Sequence, residues 1–222
     1  MRTSLVALSA SAFLALSAAP AAAETWDARD GHGDVRAYHV DITQQCEEIT
    51  VGDRVPQDRQ HDITRLAVDH GTEDVVATIR LRDVIRTGRP SSYEVAVRTP
   101  DKTFMVEVYG STAGRVEAIL DKVHGVRDPE GQGCGPALEA YGRDCTGLVA
   151  DIDHRANSVT VTVPRACLGD PSWVRVGAVA SGLGAGGFGD GSDIRALLDV
   201  WGARDYSLTH LLPPFGPRVH SG

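Results

Sequence analysis

Residues 93–108 read YEVAVRTPDKTFMVEV, and this stretch decides the class of fold. Apolar and polar residues alternate on both sides of Pro100-Asp101, as they do in half-buried strands, and Pro followed by Asp suits the centre of a type I turn. A turn at this point places six apolar or aromatic side chains on one face, as the pairs Val97 with Phe104, Val95 with Val106, and Tyr93 with Val108. A slip by one residue would set Val95 against Glu107 and bring a charge into the core, so the pattern predicts the register as well as the hairpin.

The same alternation recurs between turn residues along most of the chain, notably at residues 38–42, 66–68, 75–82 and 158–165. We therefore predict an all-β protein, with a single antiparallel, jelly-roll-like β-sandwich over residues 24–210 and an irregular C-terminal tail over residues 211–222. We expect a loop over the glycine-rich residues 182–191. One short C-terminal helix is expected after it, because apolar residues recur there at helical spacing: Ile194, Leu197, Leu198 and Trp201.

The first 23 residues predict a signal peptide. Arg2 precedes an apolar run over residues 5–19, and Ala21-Ala22-Ala23 supplies an A-x-A cleavage sequence. A membrane anchor is the alternative, but the run is shorter than a membrane-spanning helix and Pro20 ends it. We expect cleavage after Ala23 and a secreted, extracellular protein without a membrane span.

The charge of the chain argues against nucleic acid as a partner. Its 30 Asp and Glu residues outnumber its 22 Lys and Arg residues, which gives a formal net charge of −8. An acidic surface repels the phosphate backbone and anionic membranes.

The four cysteines predict two disulfides, because an even number in an exported chain favours cystine over thiol chemistry. Their spacing does not match a zinc site. A hairpin centred on Ala156 would set Cys145 opposite Cys167, and Cys46 would then pair with Cys134. The alternative pairs Cys134 with Cys145 and Cys46 with Cys167.

Two segments, residues 27–34 and 187–193, combine carboxylates with glycines. Calcium takes six to eight oxygen ligands, and glycines let backbone carbonyls turn towards an ion. Because the ends of a compact domain often lie close together, the two segments would together offer a calcium ion five carboxylates: Asp27, Asp30, Asp34, Asp190 and Asp193. Neither segment has the EF-hand spacing, and ordinary turn chemistry is the alternative.

No motif predicts catalysis. The chain has neither G-x-S-x-G nor H-E-x-x-H, and its eight histidines are scattered. The G-x-G-x-x-G match at residues 182–187 does not open a helix, as a dinucleotide site requires. A serine triad or a carboxylate pair could still be assembled from distant residues, since geometry defines such sites. We expect a non-catalytic binding or accessory module with an unidentified extracellular ligand or protein partner; the alternative is a secreted hydrolase with a spatially assembled site.

Residues 62–70 with 75–83, and residues 161–169 with 173–176, resemble small secreted bacterial β-sandwich proteins of unknown function. Gly33-Asp34 before a strand is similar to the opening of DOMON-type and family 9 carbohydrate-binding sandwiches. The resemblance implies the sandwich fold, and in those families it accompanies sugar or haem binding, often with calcium. This chain lacks the aromatic clamp of the sugar binders, and Met105 is its only Met besides Met1, so no Met and His pair stands out for haem. From this resemblance we infer the fold of the chain and none of its ligand residues.

Overall fold

The structure is a computed structural model that describes residues 23–41, 48–85, 91–110, 115–127, 137–188, 193–203 and 212–222. Within these residues the regular secondary structure is almost entirely strand. In chain order the strands are β1 (Glu24–Arg29), β2 (Arg36–Asp41), β3 (Glu48–Arg54), β4 (Ile63–His70), β5 (Asp74–Leu81), β6 (Ser91–Arg98), β7 (Thr103–Gly110), β8 (Val116–Arg127), β9 (Ala137–Gly142), β10 (Val149–Asp153), β11 (Ser158–Pro164), β12 (Trp173–Phe188), β13 (Asp193–Val200) and β14 (Val219–His220). A short helix, α1 (Arg165–Leu168), lies between β11 and β12.

The strands form two antiparallel sheets. The first sheet has the order β1-β4-β5-β11-β10, and the second has the order β3-β2-β13-β12-β6-β7-β8-β9, with β14 paired to β12. Alternate side chains of the inner strands are buried in a large apolar core, to which the first sheet contributes Leu66, Ile79 and Val161 and the second sheet Val95, Phe104 and Val176. The predicted antiparallel β-sandwich is confirmed.

The hairpin that predicted the fold has the expected register. Tyr93 pairs with Val108, Val95 with Val106, and Val97 with Phe104. All six side chains are buried. The backbone N–H of Thr99 donates to the carbonyl of Lys102 at 2.8 Å and closes the turn.

The helix expected around residues 194–201 is instead strand β13, and the short helix of the fold is α1. Strand β13 lies between β12 and β2, and neighbouring side chains on its opposite faces, Asp199 and Val200, are both buried. Burial on both faces removes the apolar–polar alternation that normally marks a strand. The glycine-rich segment before it is not a loop over its whole length, because β12 continues to Phe188.

Cys145 and Cys167 form a disulfide with a Cα–Cα distance of 5.6 Å, so Cys145 does not pair with Cys134. The predicted register was one residue off, since Asp153 pairs with Ser158 and the centre of the hairpin precedes Ala156. The bond still forms because both cysteines lie just beyond the paired strands, Cys167 in α1 and Cys145 before β10. The predicted Cys46–Cys134 pair lies outside the described residues.

The C-terminal residues pack onto the sandwich. Val219 is buried in β14, and the backbone N–H of Gly216 donates to the carbonyl of Val176 at 2.9 Å. The guanidinium of Arg175 donates to the carbonyls of Phe215 and Gly216 at 3.0 and 2.7 Å. The end of the tail therefore pairs with the start of β12 in the second sheet. Among the described residues, no helix is long and apolar enough to cross a membrane.

Candidate functional site

Two connections between the sheets meet at one end of the sandwich. Residues 30–35 lead from β1 to β2, and residues 55–62 lead from β3 back to β4. The backbone N–H of Gly33, whose φ of 73° favours glycine, donates to Asp62 Oδ2 at 2.8 Å and ties the connections together. The end of β13 lies beside them. We call the four carboxylates gathered here the acidic cluster: Asp30, Asp34, Asp62 and Asp199.

Asp62 is the most buried member of the acidic cluster, with none of its surface exposed. Its Oδ2 accepts hydrogen bonds from the Gly33 N–H and from Arg82 Nη1, the latter at 2.7 Å. Its Oδ1 is also buried but has no hydrogen-bond partner among the described residues. An unsatisfied carboxylate oxygen in a protein interior is costly, and this atom is free to accept a further hydrogen bond or a cation.

Asp199 links the two sheets. It lies opposite Ala180 of β12, on the face towards the first sheet, and its Oδ2 accepts the backbone N–H of Ile63 at 2.7 Å. Its side chain is 2% exposed. Burial, with the added charges of Asp34, Asp30 and Asp62, raises the pKa of Asp199 to about 8, although the bond from Ile63 opposes the shift. Near neutral pH this carboxyl therefore holds a proton unless a cation replaces it.

Asp30 and Asp34 come from the connection between β1 and β2. Asp30 accepts the backbone N–H groups of Gly31 and Gly202, each at 2.8 Å. Burial, and then the charges of Asp34 and Asp62, raise the pKa of Asp30 against these two hydrogen bonds. Asp34 Oδ1 is buried without a hydrogen-bond partner among the described residues. The loop thus contributes one satisfied and one unsatisfied carboxylate.

The carboxylates converge closely enough to share one ion. One oxygen each from Asp34, Asp62 and Asp199 lies within 4.8 Å of the others. At this separation two ionised carboxylates repel each other by about 3 kcal/mol at an effective dielectric constant of about 20. Protons or a cation must offset that repulsion, and the oxygen-only donor set is the kind that calcium, magnesium and manganese prefer.

The structure brings only part of the predicted calcium set together. Asp30 and Asp34 are in the acidic cluster, whereas Asp27 is exposed and pairs with Arg65. Asp193 begins β13, where its backbone pairs with Asp41, and nothing is described of its side chain. Asp190 lies outside the described residues.

Sequence reasoning missed Asp62 and Asp199. Asp199 stood out in one respect, as a lone carboxylate in the apolar stretch from Leu197 to Trp201. Such a residue in a buried strand needs a partner, and the helical interpretation placed it on a solvent face instead. Asp62 precedes the apolar start of β4, and no local pattern separates it from a turn residue.

A second group of polar residues includes two side chains from the connection between β3 and β4. His61 Nδ1 contacts Asp58 Oδ2 at 3.1 Å, and His61 Nε2 contacts Ser91 Oγ at 3.1 Å. Burial acts to raise the pKa of Asp58, but its hydrogen bonds and charge interaction with His61 outweigh burial and lower it. This order of carboxylate, imidazole and hydroxyl is the order of a serine triad.

The hydroxyl of this group is enclosed and shared. Ser91 is 8% exposed and His61 is 3% exposed. The side chains of Gln60 and Tyr93 also hydrogen-bond Ser91. A nucleophile needs access to a substrate carbonyl, and Ser91 is enclosed. In this conformation the three residues fasten the connection to the start of β6.

The acidic cluster is the better candidate for a binding site. Two of its buried carboxylate oxygens lack hydrogen-bond partners within the described part of the chain, whereas the polar atoms of Ser91 and His61 have partners. Function must be argued from these residues themselves: comparisons with models of protein families, with curated proteins and with solved structures find no match to this chain.

Proposed function

We propose that the chain is an exported, non-catalytic β-sandwich module that binds an extracellular ligand or protein and whose fold is completed by a calcium ion in the acidic cluster. One observation carries the proposal: Asp62 Oδ1 is fully buried, lacks a hydrogen-bond partner among the described residues, and belongs to a carboxylate whose neighbours Asp34 and Asp199 approach within 4.8 Å. A divalent cation there would satisfy the oxygen and offset the repulsion together.

Calcium fits this donor set better than a softer metal. The group contains carboxylate oxygens and neither His nor Cys, which zinc and copper prefer. Calcium also tolerates irregular geometry and completes its shell with carbonyls and water, whereas magnesium demands a near-ideal octahedron. Export is supported by the signal-peptide pattern of the first 23 residues and by the Cys145–Cys167 disulfide. Outside the cell, millimolar calcium allows a weak site to be filled.

Calcium should stabilise the protein against heat. At a concentration of one hundred times the dissociation constant, binding to the folded state adds about 2.7 kcal/mol to the free energy of unfolding. For a domain of this size, this corresponds to a rise in Tm of roughly 5–10 °C. The measurement is a thermal melt of the mature protein in chelator, in calcium and in magnesium, followed by circular dichroism.

Asp34→Asn is the decisive variant, because Asp34 Oδ1 makes no hydrogen bond that the variant would lose. It should abolish the response to calcium while leaving the chelated protein as stable as wild type or more so, since one repulsive charge is gone. Asp27→Asn, seven residues earlier in an exposed ion pair, is the matched control and should keep the full response. An unchanged Tm of the wild type in millimolar calcium would contradict the site.

A serine hydrolase is the second candidate, favoured by the Asp58–His61–Ser91 arrangement alone. In that mechanism Ser91 Oγ attacks an acyl carbon and His61 Nε2 takes the hydroxyl proton, while Asp58 holds the imidazole through Nδ1. The bond from the acyl carbon to the leaving group then breaks, and the leaving group departs with the proton from His61. Water then releases the acyl group, with His61 as the general base. The 8% exposure of Ser91 means that the start of β6 would have to open for a substrate.

Labelling with a fluorophosphonate separates the two candidates. We expect no covalent label on the native protein, because Ser91 is enclosed and its oxygen is shared with Gln60 and Tyr93. Intact mass spectrometry reports the adduct, with Ser91→Ala and Ser181→Ala as the variants compared. A label that is lost in Ser91→Ala and kept in Ser181→Ala would overturn the non-catalytic proposal.

A further inference from the structure

An open cleft of about 620 Å³ lies at the far end of the β6–β7 hairpin. Its walls are the turn over residues 98–103, residues 122–125 of β8, and Leu212 from the C-terminal segment. The cleft shares no residue with the acidic cluster or with the Asp58–His61–Ser91 group. Its size is within the range of about 300–1,000 Å³ that small-molecule sites occupy.

The lining of this cleft is basic although the protein is acidic. Lys102 and Lys122 are the only two lysines among the 222 residues, and both line the cleft together with Arg98 and His124. Asp101 is the single acidic residue of the lining. A chain with a formal net charge of −8 has thus placed an excess of positive charge in one concave surface.

Within the described residues, neither lysine of the cleft forms an ion pair with a carboxylate. Lys102 is exposed and Lys122 is half-buried. Arg98 is held in place differently, with its guanidinium carbon 4.2 Å from the centre of the Phe215 ring. A guanidinium held over an aromatic ring gains a cation–π attraction that helps to fix its position.

We propose that this cleft binds an anionic ligand through carboxylate or phosphate groups, with Lys102, Lys122 and Arg98 as the anion-contacting residues. This inference rests on the proposed function as a binding module and names the chemistry of its ligand. The lysines supply mobile point charges, and the stacked arginine supplies a fixed fork that fits two oxygens of one anionic group. The net negative charge elsewhere on the surface would then keep anions away from all other sites.

The experiment is a calorimetric titration of the full mature protein in millimolar calcium and low salt, with glucuronate, glucose 1-phosphate and uncharged glucose as probes. We expect both anionic probes, or one of them, to bind and glucose not to bind. The first probe reports a carboxylate ligand and the second a phosphate ligand. Binding should weaken as sodium chloride rises to 0.5 M, because the distance over which exposed charges interact falls to about 4 Å at that ionic strength.

Lys102→Ala/Lys122→Ala should weaken the binding of the anionic probe about tenfold, from two charge interactions that each contribute up to about 1 kcal/mol. Arg115→Ala/Arg155→Ala removes the same charge from exposed positions outside the cleft and should leave the affinity within twofold of wild type. Equal losses in both variants, or no binding of either anionic probe by the wild type, would overturn the inference. A calcium-dependent Tm measured on the same samples shows separately whether the acidic cluster is intact.

Discussion

In chelator, the protein is expected to lose stability as the pH rises from 6.5 to 8, and Asp199 is the reason. Burial raises the pKa of Asp199 from an ordinary value of 3.8 to about 8, so the folded state binds a proton that the unfolded state has already released. Stability must then fall with increasing pH throughout the interval between the two values. The slope approaches the limit for one proton, about 1.4 kcal/mol per pH unit.

Two other described groups have shifted pKa values that bear on this range. Burial lowers the pKa of His70 from 6.5, so its effect on stability has the opposite sign and fades as the pH rises through the interval chosen. Burial and the charge of Glu107 raise the pKa of Glu94 to about 7, so Glu94 adds to the fall. The effect of Asp199 is therefore best measured as the difference in pH-dependent stability between two proteins that both contain His70 and Glu94.

Asp199→Asn provides that difference. The amide oxygen of Asn can still accept the N–H of Ile63, and the neutral side chain has no charge to bury. In chelator the variant should become more stable than wild type by up to about 1.4 kcal/mol for each pH unit between 6.5 and 8. Urea unfolding at four pH values measures it. Calcium should remove the part of the wild-type slope that Asp199 contributes, because the cation takes the place of the proton, and should leave the slope of the variant unchanged.

Two parallel stability curves in chelator would contradict this account. They would mean that Asp199 is ionised in the folded protein at pH 6.5, so that the protein tolerates the cluster's repulsion by other means. In that case the free energy gained by a cation would be small, and the calcium response predicted for the wild type would be small as well.

The fold could be predicted because the alternation of apolar and polar residues in its hairpins determines how their strands pair. Val95 and Val106 face each other as the alternation required, since a one-residue slip would have buried Glu107. The same logic failed for β13, where Asp199 and Val200 are both buried and apolar residues no longer alternate. A strand covered on both faces looks like a short buried helix in a single sequence, and only its neighbours β12 and β2 resolve the ambiguity.

The candidate site could be predicted only where it is local. Asp30 and Asp34 belong to one glycine-containing loop, and the pattern of that loop indicated carboxylates close to each other. Asp62 and Asp199 are far apart in the sequence. A hydrogen bond between Asp199 and Ile63, the residue after Asp62, brings them together across a sequence separation of 136 residues. Contacts between sheets leave no trace in local periodicity, so half of the acidic cluster was invisible in the sequence.

Removing Arg82 should produce the largest loss of stability of any single change near the site. Arg82 Nη1 donates to Asp62 Oδ2 at 2.7 Å and to the carbonyl of Pro56 at 3.0 Å. Its side chain is 28% exposed, but that of its partner Asp62 is completely buried. Arg82→Ala leaves the charge of Asp62 in the protein interior without a counter-charge, which costs about 3–5 kcal/mol when a buried pair is broken from one side.

Arg65→Ala is the matched control, because it removes the same side chain from the exposed ion pair with Asp27, where the two side chains are 42% and 50% exposed. Exposed pairs contribute about 0–1 kcal/mol, so the loss in the free energy of unfolding should be several times larger for Arg82→Ala than for Arg65→Ala. The measurement is urea unfolding at pH 7 in chelator. Calcium should also stabilise Arg82→Ala by more than it stabilises wild type, since the acidic cluster has lost its positive neighbour. Equal losses in the two variants would instead mean that Asp62 is not a buried charge that depends on Arg82. The charge repulsion on which the calcium proposal rests would then be absent.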